Sequence, residues 1–388
     1  MRILIYNWKD IKNRLVGGAE IITFEYARRL VKDGHQVQWF SRTQPGLTPH
    51  EVIDGVEIIR QGNSLTVYLR GWWFYRKLNQ KPDLVIDMLN TIAWQTPLYA
   101  KRQSKVVQYI NQLAKEVWHY ELPWYLAIIG RLLEPLQLIS YHRTAVVTYA
   151  GSTKQDLINW GYQAAKIKLF ELGLDHARYQ PGPKSSVPLI IQVSRLVRMK
   201  RPDLTIRAFA TLAAEFPKAK LVIVGQGPFR QALVQLVKEL KLTGQIELPE
   251  KDLYYFSHNP RDQKVALMQS AWFQVHPSVK EGWGMVITEA AACGTPTIGT
   301  AVTGQVDAIK DQVSGLLISA NPTLDELAEA MRRLLTDTAL RQRLSQGAIK
   351  LASGYSWDRS YQSFVSALTE ASGLELATVS KKSHPEKS

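Results

Sequence analysis

Short apolar runs alternate with amphipathic stretches along the chain, beginning with the run Ile-Leu-Ile-Tyr at residues 3–6. The next stretch, residues 19–31, has apolar side chains at four-residue spacing, which predicts a helix with one buried face. Gly34 ends this helix, and residues 37–40 predict the following strand. This alternation is typical of parallel β-sheets that are covered by helices.

A second series of the same kind begins after residues 179–188, which hold three prolines and one glycine. Such a composition is typical of a linker between domains. We therefore predict an α/β fold of two Rossmann-like parallel-sheet domains that face each other across a cleft. The predicted division is residues 1–180 for the first domain, 181–365 for the second, and a partly disordered, lysine-rich tail at 366–388.

Length and composition limit the classes of function. The 388 residues suit two domains, and 45% hydrophobic with 21% charged residues is ordinary for a soluble globular protein. No run approaches the ~18 apolar residues of a membrane span, and the first residues do not form an export signal. We therefore expect a cytoplasmic protein, in which the single cysteine, Cys293, is a buried residue at a helix end.

The net charge of +14 favours anionic partners, such as nucleic acid, anionic lipid or anionic substrates. Nucleic acid is not predicted as a partner, because the chain has no zinc-finger spacing, RNP-like strand or helix-turn-helix. Residues 69–77 and 124–133 combine aromatic, aliphatic and cationic side chains, which suits peripheral association with the inner face of a membrane. The alternative is that these segments are helices packed on the sheet.

The segment from residue 278 to residue 296 holds the candidate chemistry. Glu281 and Glu289 flank a Gly-Trp-Gly turn and a predicted helix that begins near Met285 and ends at Gly294. Such a turn presents unpaired N–H groups and a positive dipole end to a phosphate. The two carboxylates would then accept hydrogen bonds from sugar and ribose hydroxyls. The alternative is a surface loop and a helix with two solvated glutamates.

Glu281 and Glu289, with Gly-aromatic-Gly between them, resemble the Glu-x7-Glu motif of the retaining glycosyltransferases of family 4, which have the GT-B fold. Five further blocks are similar to that family in the same order: Gly17-Gly18 after the first strand, and residues 170–181, 193–200, 222–228 and 355–357. The resemblance covers roughly residues 1–365.

This resemblance implies a nucleotide-diphosphate sugar as donor, bound without a cofactor or a metal ion. Glu289 would bind ribose hydroxyls and Glu281 would contact sugar hydroxyls. Arg195 and Lys200 would hold the diphosphate as charge develops on the leaving group, whereas the alternative is two solvated surface cations. The implied donor-binding set is Gly17, Gly18, Arg195, Lys200, Gly282, Trp283, Gly284, Met285, Val286 and Glu289.

The first domain departs from the family in one respect. Family members often carry a histidine after the strand at residues 106–110, where this chain has Asn111, which can bond a sugar hydroxyl but cannot take a proton. The nearest histidine is His119, for which packing in an aromatic helix is the alternative role. The predicted catalytic set is Glu281, Arg195, Lys200, Asn111 and His119.

The predicted function is retaining transfer of a hexose-type sugar to a hydroxyl acceptor on a polysaccharide, glycolipid or other glycoconjugate. A front-face route, in which the donor phosphate helps to deprotonate the acceptor, is implied by the family. A catalytically silent nucleotide-sugar-binding protein, a sugar-nucleotide epimerase and a phosphorylase of similar fold stay open as alternatives. A NAD-dependent dehydrogenase is not favoured, because no Gly-x-Gly-x-x-Gly follows the first strand.

Overall fold

A computed structural model describes residues 1–378 of the chain, except Leu15, Thr91, Leu122 and residues 251–262. Contacts divide the chain into two compact units. Of the described residues, the first unit comprises those in Met1–Lys115, Ile129–Gly173 and 358–378, and the second comprises those in Glu116–Ile128 and Leu174–Trp357.

The first unit is built on an eight-stranded sheet. Its strand order is β3-β4-β2-β1-β5-β6-β7-β8, and all neighbours are parallel except β3 and β4. The order reverses between β1 and β5, where the amide of Asn90 donates to the side chain of Asn7. The strands are β1 (Arg2–Tyr6), β2 (Gln36–Ser41), β3 (His50–Ile53), β4 (Val56–Arg60), β5 (Leu84–Leu89), β6 (Lys105–Ile110), β7 (Ala145–Thr148) and β8 (Ile167–Leu169).

Among the described residues before the linker there are six helices, and short 3-10 turns occupy Ile139–Tyr141 and Ala164–Lys166. The helices are α1 (Gly18–Lys32), α2 (Val67–Lys77), α3 (Thr96–Tyr99), α4 (Val117–Glu121), α5 (Trp124–Leu138) and α6 (Gly151–Asn159). Within the described ranges, no helix has both the length and the apolar character that a membrane span requires.

The second unit contains a six-stranded, wholly parallel sheet in the order β11-β10-β9-β12-β13-β14. Counted within the unit, this is the order 3-2-1-4-5-6 of the Rossmann fold, with its reversal between β9 and β12. The strands are β9 (Leu189–Val193), β10 (Lys220–Val224), β11 (Ile246–Glu247), β12 (Phe273–His276), β13 (Thr297–Thr300) and β14 (Gly315–Ile318). The prediction of two Rossmann-like parallel-sheet domains is therefore confirmed.

Helices cover both faces of this second sheet, because its strands carry apolar side chains on both faces. Ile190 and Phe273 belong to one buried cluster, and Ile191 and Val193 belong to the other. A 3-10 turn lies at Arg198–Lys200. The helices are α7 (Pro202–Leu212), α8 (Arg230–Glu239), α9 (Gln263–Ser270), α10 (Met285–Ala292), α11 (Gln305–Ala308), α12 (Leu324–Thr336) and α13 (Thr338–Ala352).

The last helix, α14 (Trp357–Ser372), packs on the first unit although it follows the second unit in sequence. The Phe364 ring stacks on that of Tyr26 with centroids 4.2 Å apart, and the Tyr26 and Ser360 hydroxyls are 2.6 Å apart. Residues 358–365 were assigned to the second domain from sequence, yet they pack with the first. The helix also continues into the segment that was predicted as a tail, whose residues from 379 onward lie outside the described residues.

Candidate functional site

The candidate site lies at the carboxyl ends of β9 and β12, where the strand order of the second sheet reverses. Ligands of open parallel sheets bind in the crevice at such a reversal. The loop after β9 carries Arg195 and Lys200, and the loop after β12 carries Glu281. The fold therefore brings these three predicted residues to one end of one sheet.

Glu281 is buried, and one of its oxygens receives three hydrogen bonds. Its Oε1 accepts from the Lys200 ammonium, from His276 Nε2 at 2.6 Å and from the Ser278 hydroxyl at 3.0 Å. Burial alone would raise the pKa of this carboxyl, but Lys200 and His276 outweigh burial and hold the pKa well below its usual range. Glu281 is therefore an ionised acceptor, and His276 must donate through Nε2–H.

Glycine residues allow the loop around Glu281 to take its path. Gly284, the N-cap of α10, has a φ of +90°, and a Cβ there would lie 2.7 Å from a methyl carbon of Ile287. A Cβ on Gly304 would lie 2.4 Å from the backbone oxygen of Glu281. The helix thus begins at Met285 beside Glu281, and the first N–H groups of a helix have no partner within it.

Glu289 lies on α10 and is buried in an ion pair. Its Oε2 is 3.1 Å from the Lys264 ammonium, which also stands 5.3 Å from the centroid of the Tyr179 ring. Neither glutamate of the motif is a solvated surface residue, so that alternative is wrong. Cys293 is buried at the end of α10, as predicted, and burial raises the pKa of its thiol to about 12.

The two predicted cations differ in environment. Lys200 is buried against Glu281, whereas Arg195 is half-buried directly after β9. The neighbouring turn packs closely on this loop, because a Cβ on Gly225 would lie 1.8 Å from the Ser194 backbone oxygen. The alternative of two solvated cations is therefore wrong for Lys200.

Gly17 and Gly18 begin α1 in the first unit. Gly17 is the N-cap, and its N–H donates to Glu20 Oε2 at 2.8 Å, as in a capping box. Glu20 is itself buried and lies 3.5 Å from the Lys9 ammonium. Glu20 thus caps the start of its own helix and forms an ion pair with Lys9.

Asn111 and His119 belong to different compact units. Asn111 is buried at the end of β6 in the first unit, and its Oδ1 has no hydrogen-bond partner among the residues that the structure describes. His119 is exposed on α4, a helix of the second unit that packs against the turn at Arg198–Lys200. In the described part of the chain, no cluster of three or more His, Cys, Asp or Glu is placed to hold a metal ion.

Sequence reasoning missed His276, Ser278 and Lys264 as parts of the site. His276 and Ser278 flank the proline that precedes the Glu-x7-Glu segment, and a polar residue at the end of a buried strand is a signal that could have identified them. Lys264 is 25 positions from Glu289 on another helix, so no local pattern connects the two.

Two family models match consecutive parts of the chain. The one described as Glycosyltransferase Family 4 matches residues 16–178, and the one described as Glycosyl transferases group 1 matches residues 175–351. Among curated relatives, the D-inositol 3-phosphate glycosyltransferase of Salinispora arenicola is 32% identical over 59% of this chain and 54% of its own length. That of Nocardia farcinica is 26% identical over 63% and 56%. The chain thus spans about half the length of these relatives.

Solved structures share the fold over almost the whole chain. Sucrose-phosphate synthase from Thermosynechococcus elongatus superposes with a TM-score of 0.76 at 20% identity, covering 95% of this chain and 98% of that one. Anabaena HepE in complex with UDP and glucose superposes with a TM-score of 0.73 at 17% identity, covering 95% and 99%. With both family models in sequence order on two Rossmann-like units, the chain belongs to the family 4, group 1 glycosyltransferases of the GT-B fold.

Proposed function

We propose that this protein transfers a hexose-type sugar from a nucleotide-diphosphate sugar to a hydroxyl acceptor, with retention of configuration. The observation that carries the proposal is the pairing of an ionised carboxylate, Glu281, with the N-terminus of α10 at the reversal of the second sheet. The carboxylate suits sugar hydroxyls and the helix N-terminus suits phosphate, so the two groups together match the two ends of a sugar diphosphate.

The diphosphate would bind between the start of α10 and the loop after β9. The N–H groups of Met285 and Val286 point out of the helix N-terminus, and Arg195 and Lys200 add positive charge. Negative charge grows on the departing β-phosphate as the glycosidic bond breaks, so fixed donors here lower the barrier. The cations supply this charge without a metal ion in the proposed reaction.

Glu281 and Glu289 would bind hydroxyls rather than attack the sugar. A carboxylate oxygen that already accepts three hydrogen bonds, as Glu281 Oε1 does, is a weak nucleophile. In the first unit Asn111 cannot serve as a base, so we propose the front-face route. A donor phosphate oxygen takes the proton of the acceptor hydroxyl while that hydroxyl bonds to the anomeric carbon on the side from which the diphosphate leaves.

A thermal-shift screen of UDP-, GDP- and ADP-sugars tests the donor site. At a hundredfold excess over Kd the correct donor adds about 2.7 kcal/mol of stability, which corresponds to a rise in Tm of about 5–10 °C for an unfolding unit of 150–250 residues. Arg195→Ala and Glu289→Ala should each lose more than half of this shift. Arg207→Ala and Glu239→Ala, which remove exposed charges on α7 and α8, should keep it. Full stabilisation in both site variants would contradict the proposed site.

Turnover of the selected donor separates the enzyme from its alternatives. A glycosyltransferase releases the nucleoside diphosphate and labels the acceptor, and in water alone it hydrolyses the donor slowly. An epimerase converts the sugar of the nucleotide without any acceptor, and a phosphorylase requires inorganic phosphate. A silent binding protein gives none of these products, and that result would contradict the proposed activity.

We further propose a lipid-linked acceptor at the inner face of a membrane, because α5 exposes an unusual amount of apolar surface. Trp124 is 73% exposed and Leu132 is 68% exposed. The remaining exposed apolar residues of α5 and the adjoining turn are Tyr125, Leu126, Ile128, Ile129, Leu133, Leu136 and Ile139. Single exposed apolar side chains are normal, whereas a contiguous series marks a membrane or partner surface.

A further inference from the structure

His276 is a buried side chain whose contacts serve Glu281. It ends β12 at the reversal of the second sheet and is 1% exposed. Its Nε2–H donates to Glu281 Oε1 at 2.6 Å. Its other ring nitrogen, Nδ1, is buried and has no hydrogen-bond partner in the described part of the chain. The Nε2 nitrogen of the ring is therefore hydrogen-bonded to Glu281, whereas Nδ1 is buried without a hydrogen bond among the described residues.

Burying Nδ1 without a partner lowers the stability of the fold, so a histidine here is expected only if its bond to Glu281 has a role. A leucine of similar size at this position would avoid that cost. Phe273 and Val275 of β12 are buried among apolar side chains. Gln274 lies on the same face of the strand as His276 and is also buried, but its amide donates to Thr297 and to the backbone oxygen of Val286, not to Glu281. The contact that distinguishes His276 from an apolar residue is the one with Glu281.

The three donors to Glu281 Oε1 differ in their freedom to move. Lys200 has a flexible four-carbon stem and reaches Glu281 from the loop after β9. His276 is held by its place at the end of β12. Ser278 lies two residues after His276, on the loop that carries Glu281. When a diphosphate enters, its charge competes with Glu281 for the Lys200 ammonium, while His276 has no such competitor within its buried position.

We propose that His276 is a positioning residue for the donor sugar. It holds Glu281 by Oε1 while Lys200 turns to the diphosphate, so that the second oxygen, Oε2, is presented to the sugar hydroxyls. This inference rests on the proposed function, since it assumes that Glu281 contacts the sugar. It predicts an effect on the sugar end of the donor and none on the nucleotide end.

The test compares Kd for a nucleotide sugar with Kd for the nucleoside diphosphate that lacks the sugar. UDP-glucose and UDP are the first pair, followed by the pair that the thermal screen selects. His276→Leu should weaken binding of the nucleotide sugar about 10-fold or more, the worth of a hydrogen bond to a charged group, and leave nucleoside diphosphate binding within about 2-fold. His276→Gln keeps an N–H near the position of Nε2 and should restore most of the loss.

Controls separate positioning from damage to the fold. His35→Leu removes another buried histidine, in the first unit, and should leave the ratio of the two Kd values unchanged. Should His276→Leu fail to fold, His276→Asn replaces it, because its shorter amide does not reach Oε1. Equal weakening of both ligands, or of neither, in a folded His276 variant would overturn the positioning role.

Glu281→Gln distinguishes failure of this inference from failure of the proposed function. If Glu281→Gln reduces binding of the sugar and His276→Leu does not, only the role of His276 is overturned. If neither variant changes the advantage of the nucleotide sugar over the nucleoside diphosphate, Glu281 does not contact the sugar, and the proposed site itself is overturned.

Discussion

Two buried carboxyl groups, Glu281 and Asp87, have pKa values that their surroundings shift in opposite directions. Glu281 has the Lys200 ammonium beside it, and its pKa is held well below the usual range. Asp87 in β5 is fully buried, which raises its pKa, and the hydroxyls of Thr96 and Tyr141 offset burial only in part. The Lys200 ammonium thus outweighs the effect of burial on the pKa of Glu281, whereas the hydroxyls beside Asp87 do not outweigh it there.

Asp87→Asn should remove the part of the fall in the free energy of unfolding with rising pH that comes from ionisation of Asp87. Because the native-state pKa is raised, the native state binds the proton more tightly than the unfolded chain does. The resulting stability is present below the ordinary pKa of aspartate, near 4, and is lost as pH rises through the raised value. From pH 4.5 to pH 7.5 the free energy of unfolding of the variant should therefore rise relative to that of the wild type.

Urea unfolding of both proteins at the two pH values measures this difference. Asp54→Asn is the matched control, because Asp54 is exposed and has a φ of +48°, a conformation that asparagine accepts. The control should follow the wild type at both pH values. Parallel behaviour of Asp87→Asn and the wild type would show that Asp87 is ionised in the native state throughout this range.

Some individual residues of the candidate site could be predicted from the sequence, and others could not. Glu281 and Glu289 could be predicted because the loop, its glycines and the helix that follows form one continuous pattern. Lys264 could not, because its contact with Glu289 depends on which side chains meet after folding. His276 carries only the weaker signal of a polar residue at the end of a buried strand, and its contact with Glu281 appears only in the structure. The role of Asn111 stays a prediction, although its buried, unpartnered Oδ1 among the described residues suits a polar ligand.

At the scale of elements, the positions of strands and helices along the chain could be predicted more fully than the elements against which each of them packs. The predicted strands at residues 3–6 and 37–40 correspond to β1 and β2, since apolar runs bounded by turn residues are local signals. No local signal in the sequence shows on which unit α14 packs. Its amphipathic pattern requires an apolar partner, but the partner is formed by Tyr26 and Phe170 in a distant part of the chain.

Phe364→Ala should destabilise the first unit selectively. Phe364 is 2% exposed, stacks on Tyr26 and contacts Phe170 at 5.2 Å between centroids. Removing a buried phenylalanine costs about 3–5 kcal/mol through lost burial and the cavity that remains. Chemical denaturation should show this loss in a first-unit transition, and Gln362→Ala, an exposed change on the same helix, should show none. An unchanged midpoint for Phe364→Ala would mean that α14 does not complete the first unit.

At the scale of the whole molecule, net charge and apolar surface favour the same kind of partner. The chain carries a formal charge of +14, and α5 presents its apolar side chains to solvent. Packing on the sheet, the alternative for this segment, accounts for the buried Ala127 and Leu138 but not for the exposed apolar residues of α5. Tyr75 of the other aromatic segment is buried, so packing does explain part of α2.

Liposome flotation tests the membrane proposal. Vesicles with anionic lipid should recover the protein, and recovery should fall with added salt, because the attraction between basic protein and anionic surface is screened. Leu132→Asp together with Leu136→Asp should abolish recovery, whereas Val52→Asp, an exposed apolar position on β3, should not. The proposal fails if anionic vesicles recover none of the wild-type protein.

The docking of α14 also bears on the order in which the protein is completed during synthesis. Tyr26 and Ser360, which meet in the first unit, are 334 positions apart, and all of the second sheet is encoded between them. Tyr26 therefore leaves the ribosome long before its partner helix exists. Domains of nascent chains generally fold from the N-terminus onward. Here the unit that is begun first is finished last, and until then the surface that α14 will cover stays open to chaperones and proteases.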